Sequence, residues 1–276
     1  MFESEASVVF RPGNPELAFL PEGPQNYGPN LLSWVAIQHG ADSNVGSLNI
    51  LNLDTGENRN FPLPGRPGFA FPSGDPDVFT IGMERKIGRF NIASGEWIDG
   101  DLVEEEEGTI INDGEPCGEA VIFGTKDLEF ASPKAGLYFW HPERGAPTLL
   151  RGGQICSNGK VVITREDGPL LLDIDSPAKT VVAYPLDLES VALGEPRMVL
   201  DLRDGDAFPD GMVSSPDGES IIIAFYNPNE VAAGEARIYR LPDGELQGVW
   251  KTPGSPRVTC PQLTTVAGET KLVLTT

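Results

Sequence analysis

The sequence predicts an all-β protein closed into a ring, a single six-bladed β-propeller of four-stranded blades spanning residues 1–276 with a site in its central channel. Three observations predict it. Short apolar runs recur about every 10 to 15 residues and group into units of roughly 40 to 50, the spacing of propeller blades. Glycine (32) and proline (25) are frequent and scattered without a period, as many tight turns require. No stretch carries the three-to-four spacing of an amphipathic helix. A β-sandwich is the other all-β arrangement, and so many strands in one chain fit it less well.

Taken in order, Ser7 to Phe10 reads as a first strand that pairs in the last blade and closes the ring. Leu31–Ile37, Gly46–Leu53, Gly68–Phe71, Val78–Gly82 and Ile87–Ile92 follow, with turns at Asp54-Thr55-Gly56 and Ser94-Gly95-Glu96. Glu104 to Glu107 is a charge run that reads as a solvated loop. Strands then recur at Ala120–Phe123, Gly136–Trp140, Thr148–Leu150, Val161–Thr164, Leu170–Ile174 and Thr180–Tyr184. The last group is Ser220–Tyr226, Ala236–Leu241, Leu246–Trp250 and Lys271–Thr275.

Composition narrows the function. The net charge of −21 argues against nucleic acid and anionic membranes as partners and reads first as a solvated exterior. No run of 18 apolar residues exists, and Met1 to Glu5 has neither the basic region nor the apolar core of a leader, so a cytoplasmic location is expected. Cys117, Cys156 and Cys260 lack CxxC spacing and read as free thiols packed like small hydrophobes. His39 and His141 each adjoin a turn residue and read as loop side chains. With no Gly-x-Ser-x-Gly elbow and no phosphate loop, neither a Ser-His-Asp triad nor a nucleotide cofactor is expected.

Four polar corners remain: Leu20-Pro21-Glu22-Gly23-Pro24, Ile111-Asn112-Asp113-Gly114, Cys156-Ser157-Asn158-Gly159 and Phe208-Pro209-Asp210-Gly211-Met212. Each puts an oxygen-bearing side chain beside a glycine at the start of an expected inner strand. Alone, each is weak. Pro216-Asp217-Gly218 and Pro242-Asp243-Gly244 repeat the last tripeptide as plain hairpin turns, and Asn112 and Asn158 suit Asx turns. In a closed ring, however, the four meet at one mouth.

Together and in this order, the corners resemble those of the senescence-marker-protein, gluconolactonase and luciferin-regenerating-enzyme family, the regucalcin-like six-bladed propellers. The resemblance implies that Glu22, Asn158 and Asp210 bind a divalent metal, with Asp210 also acting as catalytic base, and that Asn112 faces metal-bound water or substrate. Val258-Thr259-Cys260 and Leu272 to Thr275 resemble strands near the family's C-terminus. The chain departs from the pattern at Ile110, where the family often has Arg, and at Lys126, where it has Met. Lys160 stands at an apolar position and Ala36 at an Asp position. Lys126 or Glu129 then takes the orienting role of the missing Arg.

Two carboxylates and an amide oxygen are hard ligands, suited to Ca²⁺ first, with Mg²⁺, Mn²⁺ or Zn²⁺ as other occupants. The resemblance implies a metal-dependent hydrolase opening a sugar lactone or similar cyclic ester, in a monomer or weak homo-oligomer acting on a small molecule. A non-catalytic, calcium-binding scaffold propeller is the alternative, and an organophosphate hydrolase is a second one.

Overall fold

The computed structural model describes residues 1–103 and 106–276; Glu104 and Glu105 of the expected charged loop lie outside them. Strand β1 (Phe2–Glu5) precedes five complete sheets. The first is β2 (Pro21–Gly28), β3 (Leu31–Ala36), β4 (Ser47–Asn52) and β5 (Asn58–Pro62). The second is β6 (Pro67–Pro72), β7 (Val78–Met83), β8 (Lys86–Asn91) and β9 (Glu96–Leu102). The third is β10 (Thr109–Cys117), β11 (Ala120–Asp127), β12 (Ala135–Trp140) and β13 (Thr148–Gln154). The fourth holds β14 (Ser157–Arg165), β15 (Gly168–Asp175) and β16 (Thr180–Asp187), whose outer edge pairs with both β17 (Ala192–Leu193) and β18 (Arg197–Asp201). The fifth is β19 (Phe208–Ser214), β20 (Ser220–Tyr226), β21 (Ala233–Arg240) and β22 (Leu246–Pro253). A two-stranded sheet of β23 (Cys260–Val266) and β24 (Glu269–Thr275) ends the chain.

The propeller is therefore real, but the expected six four-stranded blades are not: five blades are complete, and the last position carries only β23 and β24. The ring still closes at its inner edge. The inner strands β2, β6, β10, β14, β19 and β23 each touch the next, and β23 touches β2. Thr259 Oγ1 donates to the Pro21 carbonyl, Gln262 Nε2 to that of Pro24 (3.0 Å), and Gly211 N to that of Thr259 (2.7 Å). The N-terminal strand is also placed differently. Ser7 to Phe10 forms no strand; β1 lies upstream of it and pairs parallel with β22, on the outer edge of the fifth blade. The T-shaped contact of Phe2 with Trp250 gives β1 an anchor that the solvent-exposed Val8 and Val9 lack.

The core lies between blades rather than at the centre. Val35, Leu48, Phe79 and Ile81 join the first two blades; Phe69, Ile111, Phe123 and Tyr138 join the second and third. Ile122, Leu137 and Leu171 join the third and fourth, and Val161, Leu172, Ile221 and Phe225 the fourth and fifth. Middle strands buried on both faces read as continuous apolar runs, which is why they are visible in the sequence. The outer strands β5, β9 and β18 are largely exposed and mix polar with apolar residues, and periodicity does not reveal them. Helix is confined, among the described residues, to single 3₁₀ turns at Pro15–Ala18 and Ser176–Ala178.

Candidate functional site at the channel mouth

All four polar corners lie in inner strands, near the end at which each strand starts. Glu22 is the second residue of β2, Asn112 the fourth of β10, Asn158 the second of β14 and Asp210 the third of β19. All four strands break register over the corner: β2 between Glu22 and Gln25, β10 between Ile111 and Gly114, β14 between Ser157 and Lys160, and β19 between Pro209 and Met212. Such bulges free the corner side chains from the regular pleat and re-aim them.

Glu22, Asp210 and Lys126 share one electrostatic environment with Asp113. Burial raises the Asp210 carboxyl to about 8, helped by Asp113 and opposed by Lys126 and Asn158. Burial likewise holds Glu22 well above the carboxylate range; Asp210 and Asp113 raise it further, while the Gly23 N–H and Lys126 pull it down. Asp113 is raised by burial, with Lys160 and the Gly114 N–H opposing. Asp210 Oδ1 is buried without a hydrogen-bond partner among the described residues. Three acids thus interact in low dielectric, one of them with an orphaned oxygen, and both burial and mutual repulsion favour their protonated forms.

The amides are held from behind. Asn158 Nδ2 donates to Ser176 Oγ (3.1 Å), which donates to the Pro209 carbonyl (2.6 Å), tying the fourth blade to the strand of Asp210. Asn112 Nδ2 donates to the Ser157 carbonyl (3.1 Å) and approaches Cys156 Sγ (3.6 Å). Lys126, on β11, bridges to Cys156 through the backbone, and its largely buried ammonium lowers both Glu22 and Asp210. Glu129 stands apart. It is exposed in the turn after β11, where its N–H donates to Asp127, a carboxylate also held by Lys134. His39 and His141 sit in loops, half buried.

Sequence reasoning missed four participants. Asp113 is the acid that most perturbs Asp210. Cys156 is buried and raised to about 12 by desolvation; Cys260 is raised by burial and by Asp113, Glu22 and Asp210, so both are inert thiols lining the acid cluster. Lys160 is 1% exposed and donates to the carbonyls of Asn158 and of Asp113 (3.2 Å). Its place inside the ring offered no motif; its departure from an apolar position was the one available signal.

Among the described residues, no group of three or more His, Cys, Asp or Glu side chains is arranged to hold a metal ion. The expected set holds only two acids, completed by the Asn158 amide. Its donors are all oxygens, and the orphaned Asp210 Oδ1 suits a hard divalent cation rather than a thiophilic one.

The ring of blades, with acids of raised pKa near the starts of its inner strands, defines a β-propeller. The chain belongs to the family described as the SMP-30/gluconolactonase/LRE-like region, which matches residues 20–276. Solved structures share the fold. A calcium-binding protein, regucalcin, from Agrobacterium tumefaciens superposes with TM-score 0.77 at 21% identity, covering 94% of this chain and 82% of that one. A luciferin-regenerating enzyme gives 0.73 at 18%, covering 87% and 78%. A gluconolactonase from Xanthomonas campestris gives 0.67 at 16%, covering 94% and 84%. No curated protein sequence matches the chain.

Proposed function

We propose that the protein is a divalent-metal-dependent hydrolase that opens a sugar lactone or a similar cyclic ester at the channel mouth. The observation that carries this reading is the buried Asp210 carboxylate, raised to about 8 beside Glu22 and Asp113, with one oxygen unpartnered. Family membership and the gluconolactonase likeness support it. Glu22, Asn158 and Asp210 would hold the ion, with Ca²⁺ the first candidate. When bound, it supplies a positive charge that polarises a carbonyl and acidifies water.

The chain's own residues do the rest. Asp210 accepts a proton from the attacking water, for which a carboxylate of raised basicity is suited. Asn112, held by Ser157, orients water or a substrate hydroxyl. Lys126 presents a cationic donor to the oxygen that gains charge as the ring opens. Ile110 is buried and leaves no guanidinium at that wall, which favours neutral lactones over carboxylate-bearing ones.

The test pairs calorimetric metal titration of chelated protein with a lactone panel followed by pH change. The reading expects metal binding that Asp210→Ala abolishes, and hydrolysis that requires the metal. Binding unchanged in Asp210→Ala would move the site elsewhere. Metal binding without hydrolysis of any lactone or phosphotriester would favour the second reading, a calcium-binding scaffold, which the regucalcin likeness supports.

A further inference from the structure

A second cleft lies between the fourth and fifth blades, far from the channel mouth. It has a volume of about 130 Å³ and is lined by Arg165, Leu170, Leu172, Arg197, Val199, Glu219, Leu241 and Pro242. Arg165 ends β14 and Asn158 is its second residue, so the two lie about 23 Å apart along the strand. The floor is continuous with the core between these blades: Leu172 and Leu241 belong to that apolar cluster, and Leu170 and Val199 pack against it.

The rim is cationic in a protein of net charge −21. Arg165 is pinned, with Nη1 3.2 Å from Glu219 and Nη2 donating to the Gly218 carbonyl at 2.8 Å. Arg197 projects from β18 without a hydrogen bond or ion pair for its guanidinium among the described residues. One fixed and one unengaged guanidinium above an apolar floor match a carboxylate carrying a short apolar tail, because the planar fork pairs with two carboxylate oxygens. A cavity of about 150 Å³ takes a benzene-sized group, so the tail is limited to about six carbons.

The geometry points to this cleft as a binding site for a short-chain carboxylic acid, held at its carboxylate by Arg197 and Arg165 and at its tail by Leu170, Leu172, Val199 and Leu241. It is independent of the channel chemistry. Glu219 opposes the anion, which tunes the site toward weak, reversible occupancy.

Calorimetric titration of the full chain with hexanoate, 1-hexanol and acetate tests it. Saturable one-to-one binding of hexanoate is expected, with 1-hexanol and acetate at least tenfold weaker, since each lacks one half of the recognition. Arg197→Ala should weaken hexanoate at least tenfold, Arg197→Lys by less, and Glu219→Gln should tighten it. Asp210→Ala should leave it unchanged. No saturable heat up to about 20 mM hexanoate, equal binding by the Arg197→Ala protein, or loss of binding in Asp210→Ala would each overturn the assignment.

Discussion

Gly159 lies against the backbone of Asp210: a Cβ built on Gly159 would fall 2.5 Å from the Asp210 carbonyl oxygen and 2.6 Å from the Met212 nitrogen. The corner that carries Asn158 and the corner that carries Asp210 therefore touch backbone to backbone, which only a residue without a side chain permits. Gly159→Ala must push the two inner strands apart. A cost of about 1–3 kcal/mol is expected, read as a lower urea midpoint, together with weakened metal binding. An unchanged midpoint with unchanged metal affinity would show that the strands part freely.

Asp210→Asn keeps the shape of the side chain and one oxygen ligand while removing the basic carboxylate. The expected outcome is substantial retention of metal and a loss of lactone hydrolysis by about 10² or more, the usual contribution of a positioned base. Asn112→Ala should be milder and leave the metal bound. Full activity in Asp210→Asn would reassign the base.

Lys126 is a fixed positive charge beside the two acids expected to bind metal. Lys126→Met removes that repulsion and should tighten divalent binding, on the order of tenfold at low salt. If Lys126 also meets the substrate oxygen, hydrolysis falls while metal affinity rises. Calorimetry and lactone kinetics on the same variant separate the two effects; weaker metal binding would contradict the placement of the ammonium.

Lys160 ties two corners together through the carbonyls of Asn158 and Asp113, and it lowers the buried acids Asp113, Glu115 and Asp173. Lys160→Met orphans both carbonyls and leaves those acids without their counter-charge. A loss of about 3 kcal/mol is expected. Denaturant unfolding at neutral pH measures it, and a midpoint equal to wild type would rule the tie out as a stabilising contact.

Several buried acids titrate high in the fold. Burial raises Glu115 to about 8 and Asp173 to about 6, and Asp210 to about 8. A carboxyl whose pKa is higher folded than unfolded binds more protons in the native state, so its contribution is present at low pH and lost as pH rises through the folded value. The metal-free protein should lose stability from about pH 5 to pH 8, and Glu115→Gln should flatten the upper part of that fall. Thermal unfolding across this range is the measurement. A midpoint that rises with pH would contradict the shifts, and added metal should offset the Asp210 part.

The sequence by itself determined the strands buried on both faces, because burial leaves continuous apolar runs such as Leu31–Ile37 and Ser220–Tyr226. It also located the four corners, since proline and glycine beside an acid or amide are visible one residue at a time. Outer strands such as Asn58–Pro62 were not legible, because half-exposed edges carry no run of their own. The number of complete blades was not legible either, because it depends on which strands pair, and β1 pairs with β22 from across the chain.

The fate of one tripeptide shows where the boundary lies. Pro-Asp-Gly occurs at Pro209, Pro216 and Pro242 with the same local chemistry. Asp217 and Asp243 are exposed in turns and their carboxyls are lowered, chiefly by Ser215 and by Arg240 respectively, while Gly218 and Gly244 take positive φ. Asp210 lies inside β19, buried and raised to about 8. A Cβ on Gly211 would fall 2.7 Å from Cys260 Sγ, a residue nearly 50 positions away. Desolvation and crowding by Asp113 raise Asp210, which in turn raises Glu22, and these acids come from strands that only the closed ring brings together.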